Sequence, residues 1–134
     1  MLVVDTNIVF APFIDSDWST GARELYQRDA DWRTDHHALV ELSNVLVRYV
    51  RSRLLPAAKA AVVMIESERR FGAGIVRSSH TAAMDMAITH GISAYDGRFL
   101  VAAAAFELPL VTEDTKLRRA APALTQSLRD ALRS

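Results

Sequence analysis

Four acidic residues, Asp5, Glu41, Asp96 and Asp114, fall in four separated stretches of the chain, each beside an apolar run able to carry it to a common point. Carboxylates packed together repel and raise one another's pKa, so a convergent set needs a compensating charge. Carboxylate oxygens are hard ligands suited to Mg²⁺ or Mn²⁺, and magnesium uses a few of them together with waters and substrate phosphate. That is a hydrolase's ligand set. The chain has no cysteine, and its four histidines include the adjacent pair His36 and His37, which cannot be read as a spaced zinc-protease pair. Zinc is not the metal these residues suit.

Taken singly, each acid has a plainer explanation. Asp5, Asp96 and Asp114 all precede plausible helices, where aspartate is a favoured N-cap worth about 1 kcal/mol. Glu41 alone is an edge-of-helix acid of a good helix-forming type. Composition and spacing therefore stop at an α/β domain with an acidic crevice, and they name no substrate.

The elements that must position the acids are legible. Met1 to Val4 is a short apolar run ending in Asp5-Thr6-Asn7, which predicts a buried strand opening into a polar turn. Leu108 to Val111 repeats the pattern, with Thr112-Glu113-Asp114 as its polar turn. Functional crevices of open α/β sheets lie outside the carboxyl ends of the strands, so Asp5 and Asp114 should face the same one. From about His37, Ala38, Leu42, Val45, Leu46 and Tyr49 follow the helical period, and Glu41 lies on the margin of that stripe. Asp96 is expected to open an alanine-rich helix. Ser16 and Asp17 offer an N-cap for a helix through Ala22, Leu25 and Tyr26, and Trp32 falls in a brief extended segment. A helix is expected from about Pro56 to Arg70, ending near Gly72 and Gly74, then a short strand at Ile75-Val76 and a helix from Thr81 to His90 with Gly91 behind it. The tail after Pro122 reads equally as a helix or a strand. Strands alternating with helices imply a three-layer α/β/α sandwich with a mostly parallel central sheet.

A chain of 134 residues, half of them apolar, buries one core, so residues 1–134 are read as a single domain. Sixteen basic and sixteen acidic side chains cancel, so global charge argues neither for nor against nucleic acid. The absence of cysteine fits a reducing cytoplasm. No export signal is expected from Met1-Leu2-Val3-Val4-Asp5, and no apolar run approaches the roughly 20 residues that cross a bilayer.

The stretches Val4-Asp5-Thr6-Asn7, Glu41-Leu42-Ser43-Asn44-Val45-Leu46, Tyr95 to Ala104 and Leu108 to Leu117, in this order and spacing, resemble the motifs of the PIN-domain family, and within it the VapC-type toxin ribonucleases of bacterial toxin–antitoxin pairs. The resemblance spans nearly the whole chain. It implies an acidic metal site of Asp5, Glu41, Asp96 and Asp114, with Thr6, Asn7 and Thr112 as supporting hydrogen-bonding groups. Asp5 and Asp96 would be the main ligands, and Glu41 and Asp114 would complete the site or orient the attacking water. The implied reaction is hydrolysis of an RNA phosphodiester with one or two Mg²⁺ or Mn²⁺ ions. A homodimer and a small antitoxin partner covering the active-site groove are implied as well. One departure is Gly97, where relatives often carry alanine after the aspartate; it weakens the helix start.

Arg48, Arg51 and Arg53, or Lys116, Arg118 and Arg119, are candidates to guide an RNA backbone, although a solvated helix end explains them equally. Phe13, Trp18 and Tyr26 are read either as core or as a partner-facing patch. Two rival functions remain. Aspartyl phosphatases of the haloacid-dehalogenase type need a second aspartate two residues after the first, and Asn7 stands there. A PIN-like scaffold that binds RNA or protein without cutting would be favoured by loss of an acid, and all four are present.

Overall fold

The computed structural model describes residues 1–134. Strands β1 (Leu2–Val4), β2 (Trp32–Asp35), β3 (Ile75–Val76), β4 (Leu110–Val111) and β5 (Thr125–Gln126) form one sheet in the order β3-β2-β1-β4-β5. Every pairing is parallel. Parallel strands need crossovers, and helices supply them: α1 (Thr6–Phe10), α2 (Ser19–Arg28), α3 (His37–Arg51), α4 (Ala57–Phe71), α5 (His80–His90), α6 (Ala94–Ala105), α7 (Thr115–Ala120) and α8 (Leu128–Arg133). The helices flank the sheet in the expected α/β/α arrangement. None of them is long and apolar enough to cross a membrane.

Strand order runs outward from β1 in both directions, which makes the gap between the β1 and β4 ends a topological switch point. The central strands are covered on both faces, so their residues are continuously apolar: Val3, Val4, Leu110 and Val111 are fully buried. Val4 is in register with Val111, so Asp5 and Thr112, the next residues, emerge side by side.

Helix α3 buries Ala38, Leu42 and Leu46 at the spacing read from the sequence. It packs with α4 on a small second core of Ile14, Leu42, Leu46 and Val63. Helix α4 starts after Pro56 and ends at Phe71, and α5 ends at Gly91 with φ 66° in the left-handed region, as expected.

Ile75–Val76 is a strand as expected, and the structure adjusts or resolves other readings. Helix α2 begins three residues after Ser16, because the Ser16 hydroxyl accepts from the Trp18 N–H and its own N–H donates to Ser19 Oγ at 2.9 Å, closing a turn ahead of the helix. Strand β4 is only Leu110–Val111, since Pro109 has no N–H to give a ladder. The tail is both a strand, β5, paired with β4, and a helix, α8. Phe13 and Tyr26 are half-buried and pack against the core: they meet Phe71 edge-on, Tyr26 meets Trp32 at 5.1 Å, and the Arg70 guanidinium lies over both rings. Trp18 alone of the three remains exposed.

Candidate active site

Asp5 leaves the end of β1 as the N-cap of α1, and its Oδ1 accepts from the Thr6 N–H at 2.6 Å. Its other oxygen accepts from Thr112 Oγ1 at 2.7 Å and Asn7 Nδ2 at 3.2 Å. Asn7 in turn accepts from the Glu113 N–H at 3.2 Å, tying the two strand ends together. Thr6, Asn7 and Thr112, expected to support the site, therefore surround one carboxyl. Asp114 caps α7 through the Leu117 N–H and donates its own N–H to Thr112 Oγ1 at 3.1 Å.

Asp96 does not cap its helix. Ser93 is the N-cap, accepting from the Asp96 N–H at 3.0 Å, and Asp96 sits in the first turn with its carboxyl free to face the crevice. The capping explanation thus holds for Asp5 and Asp114 and fails for Asp96. Glu41 projects from α3 with its Oε1 3.2 Å from His37 Nε2.

The four acids feel one another's charge around the crevice. Burial pushes the Asp5 carboxyl up to about 7, against the hydrogen bonds from Thr112 and Thr6, and the charges of Glu41 and Asp96 push the same way. Glu41 is raised by burial and by Asp96, opposed by Thr6 and His37. Asp96 is raised by burial and by Asp114, opposed by Ser93, His37 and Lys116. The charges of Glu41 and Asp96 reach Asp5, that of Asp96 reaches Glu41, and that of Asp114 reaches Asp96, while the Asp114 N–H shares Thr112 Oγ1 with Asp5. Two adjoining hollows meet at Asp96: one is lined by His37, Glu41, Asn44 and Tyr95, the other by Asp114 and Lys116.

These residues fit a hard divalent cation by donor type: carboxylate oxygens, a buried acid whose pKa is raised chiefly by burial and which a cation would stabilise in its ionised form, and a buried Thr6 hydroxyl that faces Glu41 without a partner in hydrogen-bonding geometry. No three side chains are gathered closely enough to cage an ion as they stand. The fit is to an open site in which one or two carboxylates share the ion with water and phosphate.

Two groups at the site escaped sequence reasoning. His37 precedes Glu41 by one helical turn, a spacing that signals contact, and its ring stacks on Tyr95. Arg98, on α6, donates Nε to the fully buried Asp35 at 2.9 Å and Nη2 to the Ser78 carbonyl at 3.1 Å, pinning α6 to the end of β2. Of the basic candidates, Lys116 lies on the rim beside Asp96 and Asp114. Arg51 is ten residues along α3 from Glu41, about 15 Å away along the axis.

A family model described as the PIN domain matches residues 2–122. Two solved structures are similar over nearly the whole chain. PAE2754 from Pyrobaculum aerophilum superposes with a TM-score of 0.72 at 19% identity, covering 98% of this chain and 93% of that one. FitAcB from Neisseria gonorrhoeae gives a TM-score of 0.66 at 20% identity, covering 95% and 96%. No curated protein matches the chain.

Proposed function

Because this chain belongs to the PIN-domain family, whose members are typically metal-dependent nucleases, we propose that it is an endoribonuclease that hydrolyses RNA phosphodiester bonds with Mg²⁺ or Mn²⁺. The observation that carries the reading is the buried Asp5 carboxyl at the end of β1, raised to about 7 by burial, with the charges of Glu41 on α3 and Asp96 on α6 pushing the same way. A protein gains nothing in stability from that arrangement, so it points to a charge the site is built to receive.

Asp5 and Asp96 would hold the metal, with Glu41 and Asp114 completing the set. A bound divalent ion supplies stabilisation of charge on the phosphate and a water of lowered pKa. The chain does the positioning. Thr112, Asn7 and the Thr6 N–H fix the Asp5 carboxyl in one orientation. His37 holds Glu41, which stands ready to orient or deprotonate the attacking water. Lys116 is placed to meet a phosphate at the rim.

The finer assignment, toxin of a type II toxin–antitoxin pair acting in the cytoplasm as a homodimer restrained by an antitoxin, rests on the resemblance of the four motifs to the VapC type. The loose gathering of the acids favours one rival, a PIN scaffold that binds RNA or protein without cutting.

One experiment separates them: incubation of total RNA with the purified chain in Mg²⁺, Mn²⁺ or EDTA, beside Asp96→Asn. Discrete fragments that vanish with EDTA and in the variant are expected, and their ends identify the target. Identical behaviour of wild type and variant under every metal condition would overturn the ribonuclease reading in favour of the scaffold.

A further inference from the structure

Tyr95 is 63% exposed although it is a large aromatic one residue from Asp96. One face of its ring lies on the His37 imidazole, with centroids 5.0 Å apart and planes 16° from parallel. His37 is itself held: Phe99 meets it at 6.4 Å and 62°, Glu41 Oε1 stands 3.2 Å from its Nε2, and only 20% of its side chain is exposed. The pair is therefore an anchored stack whose outer ring opens onto the cleft that also contains Glu41, Asn44 and Asp96.

An aromatic ring fixed flat from beneath and bare above is a surface for another π-face. Unpaired nucleobases are taken up this way, splayed from the strand and stacked on aromatic side chains, and such stacking tolerates any base. The Asn44 amide on the same cleft offers donors and an acceptor to a base edge. We propose that the Tyr95–His37 stack is a nucleobase platform that receives an unpaired base flanking the cleaved phosphodiester, which makes the substrate single-stranded or looped RNA. This rests on the ribonuclease reading, since Asp96, the next residue, is where the phosphate would lie.

The test is binding of a single-stranded oligoribonucleotide carrying 2-aminopurine in EDTA, followed by cleavage kinetics in Mg²⁺, for wild type, Tyr95→Ala, Tyr95→Phe and Tyr95→Trp. Binding to wild type should quench the 2-aminopurine. Tyr95→Ala should lose the quench and bind about 5- to 150-fold more weakly, the range that one base–aromatic stack carries. The phenylalanine and tryptophan variants should restore both, and the kinetic loss should fall on KM. If wild type cleaves RNA while Tyr95→Ala binds and quenches as wild type does, the platform is wrong and the ribonuclease reading stands. A loss confined to kcat also overturns the platform, because it would mean that Tyr95 only steadies His37 and Glu41. Tyr95-dependent binding without cleavage supports the stack as a base-binding surface and overturns the ribonuclease reading, and with it the placement of that base beside a cleaved phosphodiester. Failure to bind any RNA overturns both.

Discussion

The Thr112 hydroxyl donates to Asp5 Oδ2 at 2.7 Å across the junction of β4 and β1, and Thr112 Oγ1 itself accepts from the Asp114 N–H at 3.1 Å and from Asn7 Nδ2 at 3.3 Å. One buried hydroxyl thus sets the orientation of one acid and the backbone of another. Thr112→Val keeps the shape and removes the oxygen, leaving the Asp114 N–H and the Asn7 amide without an acceptor there. A destabilisation of about 1–3 kcal/mol is expected in urea titrations. Cleavage should fall by roughly 10- to 100-fold, as for other residues that orient metal ligands, and Thr112→Ser should recover most of both. Full activity in the valine variant would show that Asp5 needs no such support.

Stability should depend on pH in an unusual direction. Asp5 is raised to about 7 by burial, and Glu41 and Asp96 are raised from the same leading cause. A carboxyl whose folded pKa lies above its unfolded value contributes stability that is complete below the unfolded pKa and is lost as pH rises through the folded one. The metal-free protein should therefore become more stable as pH falls from about 8 to about 5. Asp35 works oppositely: burial pushes it up, but the His37 and Ser78 N–H groups and Arg98 together hold it below the usual range, so its contribution is lost in stronger acid. Melting temperatures in EDTA across this range test the sign, and Asp5→Asn should flatten the limb near neutrality. Added Mn²⁺ should raise the melting temperature more at pH 8 than at pH 5.5, because ligands bind deprotonated.

Much of this was legible in the sequence, where a local pattern has only one physical outcome. Apolar runs that stop at Asp5 and Thr112 mark buried strands meeting a polar crevice, and the Ala38, Leu42, Leu46 stripe fixes the buried face of α3. What stayed hidden depends on which elements meet. The His37–Tyr95 stack needs α3 beside α6, and the Asp35–Arg98 pair needs β2 beside α6, contacts that no local spacing announces. Tyr26 and Phe13 pack against the core because Phe71 and Arg70, far along the chain, lie on them. The sequence places the start of α6 at Asp96, and the helix starts two residues earlier at Ala94, with Ser93 as its cap.

Gly97 separates propensity from packing. In a helix, glycine to alanine gains about 1 kcal/mol where space allows. Here a Cβ would stand 2.4 Å from the Ala83 carbonyl oxygen, which belongs to the α5 backbone and cannot rotate aside. Overpacking of this kind costs about 1–3 kcal/mol, so Gly97→Ala should lower the melting temperature and disturb Asp96 beside it. Gly72→Ala is the control, since nothing lies within 4 Å of its added methyl. A Gly97→Ala protein that melts higher than wild type would mean that α5 and α6 are further apart than they stand here.

The Asp35–Arg98 pair is the structural support of the site rather than part of its chemistry. Asp35 is fully buried and the Arg98 side chain is 16% exposed, and the guanidinium also reaches the Ser78 carbonyl and lies 3.1 Å from His80 Nδ1. Arg98→Met would strand the carboxylate with only its local donors, the His37 and Ser78 N–H groups. Breaking a buried pair on one side costs about 3–5 kcal/mol, far more than the pair itself is worth. The double variant Asp35→Asn, Arg98→Met should therefore be more stable than Arg98→Met alone, and the deficit of the single variant should shrink in acid as Asp35 takes up a proton. Urea titrations of the four proteins at pH 7.5 and 4.5 measure both effects. Equal deficits at the two pH values, with simple additivity in the cycle, would show that Arg98 contributes packing and not charge.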